Sequence, residues 1–222
     1  TFLASEVSFM LPFAKEQGRP INWFNNEEDG DKVMLRIYQA YFGVGIDKLS
    51  SNFPAYRKAF QSEFDGILNM YDEGNMHRKD IERIVEKENP CIVLYDQLPK
   101  IKGFNADRKD LELGAIFQWA RELAKGKHAG IAVSQADGTA EGVRYLTMDH
   151  VANAKTAVQA EADWILGIGK THDQSLEMVR YLNISKNKLT GDDQTIEEQR
   201  HGSFETIIRP DIARYEDVVT YS

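Results

Sequence analysis

Three polar side chains, Glu27, Asp96 and Gln135, each stand at the end of an apolar run that reads as a strand. In open parallel sheets, ligands sit beyond the carboxyl ends of the strands, so three such ends predict one site on one rim. A carboxylate fixed at the end of an apolar strand suits a nucleotide-bound Mg²⁺, held through water beside the phosphates. That is one reading of Asp96; the plainer one is an aspartate that caps the next turn. Glu27 has the chemistry of a general base that polarises the water attacking a terminal phosphate, or of an acidic residue opening a helix. Gln135 can donate a hydrogen bond to that phosphate and report its loss, and by itself is an exposed amide after a strand.

These side chains need a scaffold. Phe2, Leu3, Val7, Phe9, Met10 and Phe13 recur at helical spacing and predict a helix from Thr1 to about Gln17, broken by Gly18, Arg19 and Pro20. A short strand over 21–25 leads to a helix with acidic residues in its first turn, which runs to the glycines at 43 and 45. Residues 52–88 read as helical and amphipathic with a break near Gly74. Then follow a buried-type strand at 91–95, a long helix over 107–125 and a strand at 129–134. After a polar loop at 136–148 come a helix near 150–160, a strand at 163–168 and strand-like runs at 178–185 and 203–209. Alternation of strand and helix predicts an α/β fold: a mostly parallel twisted sheet with helices on both faces. The late strands, with no helices between them, predict antiparallel strands added at one edge. No internal repeat or low-complexity linker interrupts the chain, so residues 1–222 are predicted as a single domain.

Composition narrows the function classes. The net charge of −8 argues against a protein that wraps duplex DNA with its outer surface; contact with nucleic acid would fall to a few local basic loops. No apolar run is long enough to span a membrane and no secretory leader opens the chain. The single cysteine, Cys91, excludes an internal disulfide, fits a reducing cytoplasm and reads as a small core residue entering a strand.

Several segments, in order, resemble the motor domain of bacterial and phage replicative helicases of the DnaB and phage primase-helicase type. They are Thr1-Phe2-Leu3-Ala4, Phe24-Asn25-Asn26-Glu27, Cys91-Ile92-Val93-Leu94-Tyr95-Asp96 and Trp119-Ala120-Arg121-Glu122-Leu123-Ala124, with Arg108 and Glu112 just before the last. Ala132-Val133-Ser134-Gln135, Ala160-Glu161-Ala162-Asp163-Trp164-Ile165 and Ile184-Ser185-Lys186-Asn187-Lys188 continue the series. The resemblance implies a RecA-like P-loop NTPase fold using ATP and Mg²⁺. It makes Glu27 the catalytic glutamate, Asp96 and Thr1 the residues around Mg²⁺ and nucleotide, and Gln135 the γ-phosphate sensor. Lys186 and Lys188, two apart on a strand and so on one side of it, would reach a neighbouring subunit's γ-phosphate. Lysine replaces arginine at 188 and lacks the planar fork, so its stabilisation of the transition state would be weaker or differently arranged.

The same resemblance implies self-association into a ring, a hexamer in the family, and single-stranded DNA in the central channel. It also implies the cytoplasm of a bacterial or phage-infected cell. The channel loops at 136–148 and 150–156 carry Arg144 and Lys155 as their cations. A glycine-rich phosphate-binding loop is missing from the sequence and is expected on an upstream segment or a companion chain; without it the chain should bind ATP poorly. Gly167-Ile168-Gly169-Lys170-Thr171 looks like half of such a loop, but Trp164 stands where a glycine is needed and a strand follows, so a hairpin turn is predicted. The expected function is an ATP-dependent, ring-shaped DNA helicase motor of replication. Recombinase-like or clock-type ATPases of the same superfamily are the enzyme alternative. A non-hydrolysing scaffold or loader subunit is the alternative of a different class.

Overall fold

Strands β1 (Ile21–Asn25), β2 (Leu68–Tyr71), β3 (Ile92–Asp96) and β4 (Ala129–Ala132) make one parallel sheet in the order β2-β1-β3-β4. In the computed structural model, which describes residues 1–151, 155–188 and 201–218, the chain divides into two compact units. The sheet belongs to the first, formed by Thr1–Phe104, Trp119–Val133 and Arg209–Arg214; the other described residues form the second. β1 is buried along its whole length and is flanked on both sides by parallel partners, which is why it carries no alternation of apolar and polar residues.

Helices α1 (Phe2–Gln17), α2 (Gly30–Phe42), α3 (Ile46–Ser51), α4 (Phe53–Phe64), α5 (Arg78–Glu88) and α6 (Lys109–Ala124) accompany these strands in the sequence. The buried stripe of α1 is Ala4, Val7, Leu11 and Ala14, at helical spacing, whereas Phe9 and Phe13 are exposed at 62% and 50%. Small residues thus pack inward and two of the large ones that marked the helix face out. Gly18 ends α1 at φ 62°, in the left-handed region that glycine adopts without a Cβ clash. The core beneath joins Val7, Leu11, Ile21, Trp23, Ile37, Leu49, Phe60 and Leu94. Phe24, fully buried, stacks with Tyr71 at 5.1 Å and Tyr95 at 5.9 Å between ring centroids, tying β2, β1 and β3 together.

The second unit is built on antiparallel pairing. β5 (Trp164–Gly169), β6 (Val179–Asn187), β7 (Ser203–Arg209) and β8 (Arg214–Asp217) hydrogen-bond in that order, and a short helix, α7 (Lys155–Glu161), precedes them. Parallel strands, antiparallel strands and flanking helices therefore all occur as expected. Two elements differ from expectation. Within 52–88, read as helical, lies β2, a four-residue strand at the sheet edge and only half-buried, too short to display a period of its own. β8 follows a turn after β7 and escaped notice for the same reason.

Candidate active site

The chain leaves β1 for β2 on one side and leaves β3 for β4 on the other, so strand order reverses between the adjacent strands β1 and β3. Such a switch point opens a crevice beyond the carboxyl ends of the two strands, where ligands of open α/β sheets bind. In register, Asn25 at the end of β1 lies opposite Asp96 at the end of β3, and the Asn26 amide donates to the Asp96 carbonyl at 2.5 Å. Glu27 follows one residue later. The fold therefore brings Glu27 and Asp96 to one rim.

Acidic side chains crowd this rim. Burial, and next the Glu27 carboxylate, push the Asp96 carboxyl above its ordinary value; Lys100 offsets this only in part. Glu27 itself is 44% exposed and meets Lys100 Nζ at 3.9 Å. Its neighbour Glu28 is otherwise engaged: both carboxylate oxygens accept from the Arg36 guanidinium, and that bond holds the Glu28 carboxyl below the usual range. Of the two consecutive glutamates, Glu27 is the more exposed and has the longer ion pair. Beside it, both polar atoms of the Asn26 carboxamide are buried without a hydrogen-bond partner among the described residues.

Among the described residues no group of three or more His, Cys, Asp or Glu could hold a metal ion alone. Mg²⁺ needs no such cage: it keeps several waters and takes one or two carboxylates plus phosphate oxygens. A half-buried Asp96 whose charged form is costly, next to an unsatisfied carboxamide, fits that demand.

A pH dependence follows. Because Asp96 binds its proton more readily folded than unfolded, its contribution to stability falls as pH rises from the unfolded carboxylate value through the folded one, and the cost persists above it. Asp96→Asn should therefore raise the urea midpoint at neutral pH, with the gain shrinking as pH falls through that window. A variant less stable than the parent at neutral pH would contradict this origin of the shift.

The remaining candidates belong to the second unit. Gln135 is exposed, three residues past the end of β4. Lys186 is the last residue but one of β6 and Lys188 stands just past its end; their ammonium groups reach the adjacent carbonyls of Gln159 and Ala160, the latter at 3.4 Å. Both therefore serve the negative, carbonyl end of α7. Arg144 is exposed with its guanidinium 5.4 Å from the Tyr181 ring centroid. Lys155 starts α7, but its side chain, like residues 152–154 of the second expected channel loop, lies outside the described residues.

Gly167 and Gly169 lie inside β5, paired with β6. A Cβ on Gly169 would stand 1.8 Å from the Arg144 carbonyl oxygen, and one on Gly167 2.5 Å from that of Leu146. These glycines admit a neighbouring backbone segment from within a paired strand, where a hairpin turn was expected; the turn comes after Gly169. Sequence reasoning missed Lys100, on the turn after β3, and Asp72, directly after β2. The signal for Asp72 was present: Leu68-Asn69-Met70-Tyr71-Asp72 has the same strand-then-aspartate form as 92–96.

Comparison with known proteins agrees with this architecture. No protein-family model matches the chain, and no curated protein does. Among solved structures, an isolated ATPase domain superimposes with a TM-score of 0.74 at 14% identity, covering 97% of this chain and 81% of that one. The fold is that of a RecA-like ATPase domain. A DnaB-like replicative helicase, described with its interactions with primase, gives a TM-score of 0.72 at 13% identity over 97% of this chain. The chain spans 56% of that helicase's length. Among the described residues no helix is long and apolar enough to cross a membrane.

Proposed function

We propose that the chain is the larger part of the ATPase motor of a ring-shaped DNA helicase, a single functional domain that hydrolyses ATP between subunits and moves along single-stranded DNA. The observation that carries this reading is the meeting of Glu27 and Asp96 at the switch point between β1 and β3. In this reading Glu27 accepts the proton of the attacking water. Asp96 and Thr1 hold Mg²⁺, which when bound neutralises charge on the phosphate oxygens. Gln135 contacts the γ-phosphate, and Lys186 and Lys188 act on the site of an adjacent subunit, exchanging their α7 carbonyls for phosphate oxygens. Arg144 and Lys155 would touch the DNA backbone. Triphosphate binding requires a glycine-rich loop outside residues 1–222, supplied by a preceding segment or a companion chain.

The test is ATP hydrolysis by the full-length protein or complex that supplies this loop, with and without single-stranded DNA. The reading predicts Mg²⁺-dependent turnover stimulated by single strands and dependent on assembly. Assembly without turnover, in the presence of an intact phosphate loop, would favour the scaffold or loader subunit instead. Turnover insensitive to DNA would favour a clock-type ATPase.

A further inference from the structure

Asp72 makes contacts that the reading above does not use. It follows β2, the strand next to β1, and its two carboxylate oxygens are spent on the two ends of a single loop. Oδ1 accepts from the Asn25 carboxamide at 2.8 Å, and Oδ2 accepts from the Gly30 amide, the first of α2, at 2.7 Å. Between those anchors lies the segment 26–29 with Glu27 in it. The Asn25 carboxamide tightens the same loop from inside: its nitrogen also donates to the Glu28 carbonyl, and its oxygen accepts a long 3.5 Å bond from the Glu27 amide. Gly30 fits this arrangement and little else would, since a Cβ there would stand 2.8 Å from Asp72 Oδ2.

We propose that Asp72 is a positioning residue for Glu27, a brace on a neighbouring strand that holds both ends of the β1–α2 loop and so fixes the catalytic carboxylate over the β1–β3 crevice. This rests on the ATPase reading of the site. Physically, a base on a loop reacts well only when its geometry is held within a fraction of an ångström. The brace does this with charge-assisted bonds from a carboxylate. Asp72 is itself exposed, so removing its charge leaves the apolar core intact.

Asp72→Asn halves the acceptor capacity and presents an amide donor to the Asn25 carboxamide or the Gly30 amide. The exchange Asn25→Asp with Asp72→Asn restores the bond between the two positions, the new amide donating to the residue at 25 and accepting from Gly30, while the Asn25 donation to the Glu28 carbonyl is given up. In the full-length protein or complex carrying the phosphate loop, Asp72→Asn should lower kcat about 10-fold with KM for ATP and the thermal midpoint nearly unchanged. The double exchange should recover part of that loss, since only the Asn25 bond to the Glu28 carbonyl stays broken. Hydrogen exchange at the Gly30 amide should accelerate in the single variant and slow again in the double, a readout independent of turnover. The proposal is overturned by an unchanged kcat in Asp72→Asn, by a double variant no better than the single, or by a kcat loss matched by a lower thermal midpoint. It also falls if the Gly30 amide exchanges at the parent rate. Failure of the ATPase reading looks different: the parent then shows no turnover, or turnover that survives Glu27→Gln, while the exchange measurement still reports the brace.

Discussion

Glu27→Gln should reduce ATP turnover by roughly 10²–10⁴-fold while leaving nucleotide affinity close to that of the parent, because a neutral amide keeps the shape but cannot accept a proton from water. Glu28→Gln is the informative companion. The Glu28 carboxylate is bound through both oxygens by Arg36, so it is not available to a water molecule in the crevice. Its loss should weaken a partly exposed ion pair, with a stability cost of about 1 kcal/mol at most, and leave turnover within a few-fold of the parent. Single-turnover hydrolysis by the two variants, measured side by side in the assembled protein, separates the glutamates. A larger loss in Glu28→Gln than in Glu27→Gln would reassign the base.

The second large effect concerns folding. Gly169→Val should destabilise the second unit by roughly 3 kcal/mol or more, because the added carbons collide with backbone that no rotamer change can move aside. The nearest atoms are the carbonyl oxygens of Arg144 and Val143, at 1.8 and 2.6 Å from an ideal Cβ. By contrast Lys170 is exposed, and Lys170→Ala should change stability by no more than about 0.5 kcal/mol and nucleotide affinity not at all. Urea unfolding and nucleotide titration of both variants provide the check. Were Gly169→Val folded and Lys170→Ala unable to bind nucleotide, the 167–171 segment would be a phosphate loop after all.

What the sequence made legible was the rim. Ile92–Asp96 is apolar until its last residue, and buried parallel strands have few other ways to look. The late antiparallel strands were legible from the lack of helical spacing between them. What escaped was whatever depends on reach across space. β2 is an edge strand of four half-buried residues, and a run so short carries no period to separate it from a helix. With β2 unseen, Asp72 could not be placed beside β1, nor its bonds to Asn25 and Gly30 foreseen. Phe9 and Phe13 marked α1 by their spacing, yet Ala4 and Ala14 are the residues that fit against its neighbours. The lysine pair was read as two residues of one strand, whereas Lys188 lies just past β6, and nothing in the spacing pointed to the Gln159 and Ala160 carbonyls.

Where the nucleotide binds decides whether Glu27 and Asp96 act on it. A structure of the assembled, phosphate-loop-bearing protein with Mg²⁺ and a non-hydrolysable ATP analogue measures that directly. It should show the terminal phosphate beyond the ends of β1 and β3, with the Asp96 carboxylate on the metal's water shell and the Glu27 carboxylate facing the γ-phosphorus. A nucleotide seated elsewhere in the chain, or one at this crevice with Glu27 turned away and still paired to Lys100, would contradict it.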